Sequence, residues 1–179
     1  MAESHRELYG IRELDPETIS MIHNLYFPEI YRYANYRLGN PMVAEDVASE
    51  VFVRLLEAVH AGRGPKTSVR GWLFGTASNL IHDNFRHIYN KSPVHVSDEY
   101  PSNDGNPEVL TEQNDRFQTV VAASSQLTPE QQHVLALRFG SALSLKETAA
   151  VMNKAPNAIK ALQFRALNAL RRHLGDDFS

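Results

Sequence analysis

Asn157, Lys160, Ala161, Phe164, Arg165 and Asn168 recur at the spacing of a single helix face. Such a face, polar and basic, can read base edges and hold phosphates when its helix lies in a DNA major groove. A second set is Trp72, Gly75, Thr76, Asn79, Asp83 and Arg86. Here an aromatic plane could stack on a base that has left its duplex, polar groups could read its edges, and the arginine could hold a phosphate. The competing reading makes Trp72 a core residue, as large aromatics usually are. A third set, Glu45, Asp46, Ser49, Glu50 and Glu57, forms an acidic face with Val53 among the carboxylates and Phe52 beside them. It is either a solvated helix face or a protein-docking surface with an apolar centre and a charged rim.

Covalent chemistry finds little support. The eight histidines contain no HExxH motif and no i, i+4 pair, and His82 and His87 stand five apart around Asp83. The chain has no cysteine, so it offers neither a disulfide nor a thiolate-held zinc site. There is no Gly-rich phosphate loop and no nucleophile motif. The expectation is a protein that binds rather than catalyses, with no cofactor and no metal.

The elements that position these residues are helices. Around the first face, Ser144 and Glu147 form a capping box, Ala149 is small where two helices must cross, and Asn153 suits a left-handed turn position. Pro156 suits the first turn of the helix that follows, and Ile159 and Leu162 point back into the unit. Together these residues predict a helix-turn-helix over 145–164, with the last helix continuing to about Leu174. A plain helical hairpin is the competing reading. Thr128 and Gln131 make another capping box, opening a helix that ends near Gly140, and one more helix is expected from about Thr111 to Ser125.

The first module reads as three helices. Asp15 caps the first, whose stripe is Ile19, Ile22, Tyr26, Ile30, Tyr33 or Ala34, and Leu38; Pro28 should kink or break it. Gly39 and Asn40 end it and Pro41 opens the second, with Val43, Val47, Val51, Leu55 and Val59 inward and Ala44, Ala48, Phe52 and Leu56 widening that stripe. After a turn-rich loop over 62–68, the third runs from about Val69 to Tyr89 with Leu73, Ala77, Leu80 and Phe85 inside. Nothing reads as a strand, so the expected fold is all-α: two small helical bundles.

Net charge over the 179 residues is -3, which hides a segregation. From Arg116 to Leu174 eight lysines and arginines face only Glu130 and Glu147, whereas from Asp98 to Asp115 all the charges are acidic. Residues 91–110, with three prolines and no periodicity, read as a flexible acidic linker. A weakly charged free protein should bind DNA weakly, because the phosphate contribution needs a net positive surface. With no signal peptide and no apolar run long enough to span a bilayer, a cytoplasmic protein without membrane contact of its own is expected.

Three blocks, AEDVASEVFVRLLEAV, VRGWLFGTASNLIHDNFRH and the stretch from Leu127 to Leu174, stand in an order and spacing that resembles an extracytoplasmic-function sigma factor of the sigma-70 family. The resemblance covers roughly Ile19 to Leu174. It implies a first module, region two, over 19–90 that docks the clamp of bacterial RNA polymerase and opens the −10 element. It also implies a second, region four, over 111–179 that reads the −35 element and sits on the flap of the β subunit. Residues 1–18 form an N-terminal extension without clear counterpart.

Matched to that family, Asp46, Glu50, Val51, Phe52 and Arg54 fall in the polymerase-docking block on the β′ clamp. Trp72, Asn79, Asp83 and Arg86 fall in the helix that handles melted −10 DNA, and Asn157, Lys160, Ala161, Phe164 and Arg165 on the −35 reader. Ser49 stands where Gln is frequent and Asn153 where Gly is frequent. The implied partners are core polymerase, promoter DNA (duplex at −35, single-stranded at −10) and, as in many relatives, an anti-sigma factor. The alternative is a stand-alone helix-turn-helix regulator that binds duplex DNA without polymerase.

Overall fold

The computed structural model describes residues 2–91, 119–120 and 122–174, with side chains from His5 to His87 and over the same later residues. All regular structure among the described residues is helical, and the chain divides into two compact units. The first holds α1 (Ala2–Arg12), α2 (Pro16–Leu38), α3 (Pro41–His60) and α4 (Val69–Lys91). The second holds α5 (Pro129–Leu135), a π-helical turn over Ala136–Gly140, most of α6 (Leu145–Val151) and α7 (Pro156–Leu174). Lys91, expected to open the linker over 91–110, ends α4; the rest of that linker and most of the helix expected over 111–125 lie outside the described residues, while 119–120 and 122–125 are helical.

Local chemistry sets the boundaries in the first unit. Asp15 accepts from the Thr18 amide at 2.9 Å and its hydroxyl at 2.6 Å, which holds its carboxyl below the usual carboxylate range. Gly39 ends α2 at φ 63°, in the left-handed region, and Asn40 caps α3 by accepting from the amides of Met42 and Val43. α2 packs against both α3 and α4, burying Ile22, Tyr26, Ile30, Tyr33 and Ala34 against Ala44, Val47, Ala48, Val51 and Leu55 of α3 and Leu73, Phe74, Ala77 and Ile81 of α4.

Three expectations need correction. The module has four helices, not three: α1 packs on α2 and α4 and buries Ile11 completely. Of the two outcomes expected at Pro28, a kink or a break, the break does not occur: α2 runs through it to Leu38. Both Pro28 and Asn24, whose carbonyl loses its partner, face solvent, so water can satisfy the freed oxygen. On α4 the buried side is Leu73, Phe74, Ala77, Ser78 and Ile81, while Leu80 is half-buried and Phe85 is exposed. Ser78 sits inside the stripe and disguises its phase, which shifts the apparent apolar face toward Leu80 and Phe85.

In the second unit Thr128 and Gln131 make the expected reciprocal cap. The helix thus begun changes to π geometry at Ala136, with Ser141 N donating to the Ala136 carbonyl at 2.9 Å. α5 packs against α7, and the core is Val134, Leu137, Leu143, Ile159, Leu162, Ala166 and Ala169.

Candidate nucleic-acid interface

The helix-turn-helix forms as its residues dictate. Ser144 N donates to Glu147 Oε2 at 2.8 Å and Glu147 N to Ser144 Oγ at 3.2 Å, completing the capping box. Asn153 takes φ 50°, and Lys154 N closes the turn on the Ala149 carbonyl at 2.9 Å. Ala149 is buried at the crossing, and Ile159 and Leu162 face the core. The whole opposite face of α7 is consequently open to solvent: Asn157, Lys160, Ala161, Phe164, Arg165 and Asn168 are all exposed. Phe164 is 67% exposed, so this face presents an open aromatic ring beside its polar and basic groups. Lys146, Arg171 and Arg172 add exposed positive charge, whereas Lys154 is held by Glu130 at 2.9 Å.

On α4, Ser68 accepts from the Gly71 amide at 3.0 Å and starts the helix, while Arg70 anchors it to α2 through Glu29 at 2.9 Å and lies 5.8 Å above the Phe74 ring. That anchoring turns Trp72, Gly75 and Thr76 to a half-exposed position and Asn79, Asp83 and Arg86 fully outward. Trp72 therefore satisfies neither extreme: part of its ring packs and part is available. A side chain at Gly75 would meet no atom within 4 Å, leaving open backbone one turn from both Trp72 and Asn79. Asp83 and Arg86 stand 3.8 Å apart and well exposed, a pair too weak to withhold either from a ligand.

The docking block is split by the structure. Asp46, Ser49, Val53, Arg54 and Glu57 are exposed on α3, and Glu50 pairs with Arg54 at 2.8 Å. Val51 is fully buried and Phe52 nearly so; they lie under this face, not on it. Phe52 instead meets His23 (ring centroids 4.8 Å apart) and Phe27 (6.1 Å). These rings border an apolar groove of about 380 Å³ between α2 and α3, lined by Pro16, Ile19, Ser20, His23, Phe52, Leu55 and Leu56. Sequence reasoning missed this groove; the i, i+4 pairing of His23 with Phe27 was its available signal. No group of three or more His, Asp or Glu side chains among the described residues is placed to hold a metal ion, and no described helix is long and apolar enough to cross a membrane.

The family models for Sigma-70 region 2 and Sigma-70, region 4 match residues 22–88 and 125–172. The extracytoplasmic-function RNA polymerase sigma factor BldN of Streptomyces coelicolor is 33% identical over 165 residues, which are 91% of this chain and 62% of that protein. The chain thus spans less than two thirds of the length of that relative. SigX of Bacillus subtilis, of the same group, is 27% identical over 88% of this chain and 84% of its own length. Among solved structures, CnrH in complex with the cytosolic domain of CnrY aligns over 93% of this chain and 94% of its own, with a TM-score of 0.68 at 16% identity. The sigma factor RpoE in complex with the anti-sigma factor NepR, from Bartonella quintana, aligns over 88% and 97%, with a TM-score of 0.67 at 19% identity. At those identities the structures support the shared all-α fold. Both matched regions, in their family order, carry the exposed helix faces described above, and the chain belongs to the sigma-70 family as a member of its extracytoplasmic-function group.

Proposed function

We propose that this chain is a promoter-recognition subunit of bacterial RNA polymerase, acting in the cytoplasm by binding and not by covalent catalysis. The observation that carries the reading is the pairing, in one chain, of two matched sigma regions that each present an exposed helix face suited to nucleic acid. On this reading the module over 19–90, together with α1, handles the −10 element, and the module over 111–179 reads the −35 element. Lys160 and Arg165 would mix base-edge and phosphate contacts in the major groove, with Asn157, Ala161 and Phe164 alongside. Trp72 would stack on a non-template base after strand separation, while Asn79, Asp83 and Arg86 supply polar and phosphate contacts; stacking offsets the cost of unstacking.

The exposed carboxylates of α3, Asp46, Glu50 and Glu57, fit a positively charged partner surface, and Val53 at 49% exposure gives that face an apolar centre. This is the surface assigned to the polymerase clamp, with Arg54 at its edge and Val51 and Phe52 supporting it from below. An anti-sigma factor is part of the proposal, since RpoE of Bartonella quintana is bound to one. The stand-alone regulator accounts for α6 and α7 but leaves the match to region 2 and the α4 face without a role.

Run-off transcription with bacterial core polymerase on fragmented host DNA tests the reading. Discrete transcripts that require both the chain and the core support it. Tight duplex binding by the chain alone, with no added transcripts, overturns it in favour of the regulator.

A further inference from the structure

Arg138 stands at the centre of the π-helical turn, half-buried, and its guanidinium joins three parts of the second unit. Its Nε donates to Gln163 Oε1 of α7 at 3.0 Å, and another guanidinium nitrogen donates to the Leu143 carbonyl oxygen, next to the Ser144 cap of α6. Both acceptors are uncharged, so the contact does not serve to neutralise charge. What the planar fork supplies is fixed geometry. The π turn makes this reach available: its wider ring carries the chain through Ala142 at φ 49°, and Leu143 N returns to the Leu137 carbonyl at 2.9 Å.

Gln163 lies between buried Leu162 and exposed Phe164, three residues from Lys160. The apolar contact under α7 comes from Ile159, Leu162, Ala166 and Ala169. Apolar burial is non-directional, and two alanines resist rolling of the helix only weakly. A roll of about 20° would carry a side-chain tip on a helix of 5–6 Å radius through about 2 Å. That exceeds the whole range of good hydrogen-bond lengths.

We infer that Arg138 and Gln163 are positioning residues for promoter recognition: their contact fixes the rotation of α7 about its axis and thereby the aim of Lys160, Phe164 and Arg165 at the −35 bases. The inference rests on the function proposed above and assigns Gln163 a supporting role instead of a base contact.

The test uses the full chain with core polymerase on a promoter recovered by run-off, comparing transcription from the intact −35 element with that from a scrambled one. Arg138→Met and Gln163→Leu should each lower this ratio about fivefold or more, on the scale of one lost base contact. Transcription from the scrambled template and the melting temperature should stay near those of the unaltered chain. Gln163→Glu, which still accepts from the guanidinium, should keep the ratio. An unchanged ratio in Arg138→Met and Gln163→Leu overturns the inference, as does a fall that only follows loss of folded protein. If the unaltered chain itself directs no transcription, the functional reading fails, and this inference with it.

Discussion

The Tyr26 hydroxyl donates to Glu7 Oε1 at 3.1 Å, joining α2 to α1 with both residues buried. Burial raises the Tyr26 phenol above its usual value of 10.0, and the neighbouring Glu7 carboxylate raises it further. Tyr33, on the same helix, is pushed up to about 12, chiefly by burial. The N-terminal helix is thereby tied into the bundle through a proton that must stay in place.

Alkaline instability is the consequence. Both phenols have folded values above 10.0, so their contribution to stability is complete below that pH and is lost as pH rises through the folded values. Urea midpoints should therefore fall above about pH 10, and the fall should be shallower in Tyr26→Phe. At neutral pH that variant should be less stable by about 1–3 kcal/mol, because Glu7 loses its buried donor. Parallel pH profiles for the two proteins would show that the Tyr26 proton is not the group being lost.

Gly10 gives a prediction of opposite sign to helix propensity. It lies inside α1, where alanine is ordinarily better by about 1 kcal/mol. A Cβ there would stand 2.2 Å from Thr18 Oγ1 and 2.7 Å from Thr18 Cβ. The clash reaches the Thr18 stem, not a flexible tip, and the same hydroxyl serves the Asp15 cap. Gly10→Ala should destabilise by about 1–3 kcal/mol in thermal unfolding. A variant as stable as the parent or more so would mean that α1 does not approach α2 this closely.

Helix starts were legible wherever a side chain contacts its own backbone neighbours. Asp15, Thr128 and Ser144 cap as their sequence context implies, because the bond spans only two or three residues, and Asn40, read only as ending α2, also caps α3. The exposed face of α7 was legible too, since a 3.6-residue period places Lys160 and Phe164 away from buried Ile159 and Leu162. α1 was not, because Ile11 is its one fully buried large apolar residue and Glu7 becomes a core residue only through Tyr26. The π turn was hidden as well: a change from i→i−4 to i→i−5 bonding over five residues barely alters side-chain periodicity. For Val51 and Phe52 the periodicity of α3 already placed both on the inward stripe, where they are buried, whereas the family block alone does not distinguish them from exposed Asp46 and Arg54.

Asn153 tests the turn. At φ 50° a non-glycine residue pays for a Cβ in the left-handed region, least of all Asn. Asn153→Gly should leave the melting temperature unchanged or slightly higher, and Asn153→Val should lower stability by about 1–2 kcal/mol. Equal stability of both variants would contradict a left-handed turn residue between α6 and α7.

Trp72 and Lys160 should separate the two halves of initiation. Lys160 is exposed on α7 and makes no contact that holds the fold, so Lys160→Ala should leave unfolding unchanged. It should weaken binding of the polymerase complex to the −35 element by about 1–3 kcal/mol. Trp72 is half-buried, so Trp72→Ala should cost some stability, yet its specific effect should fall on strand opening. Permanganate reactivity of unpaired thymines near −10 reads that step directly. The expected result is a closed complex that forms normally and opens poorly. On a template already mismatched at −10, Trp72→Ala should recover much of its activity because unpairing has been paid in advance, whereas Lys160→Ala should gain no such relief. If the pre-opened template rescues both variants equally, the two faces do not divide the work in this way. If Trp72→Ala unfolds the first module, the ring is a core residue and the −10 contact must come from Asn79, Asp83 and Arg86 without it.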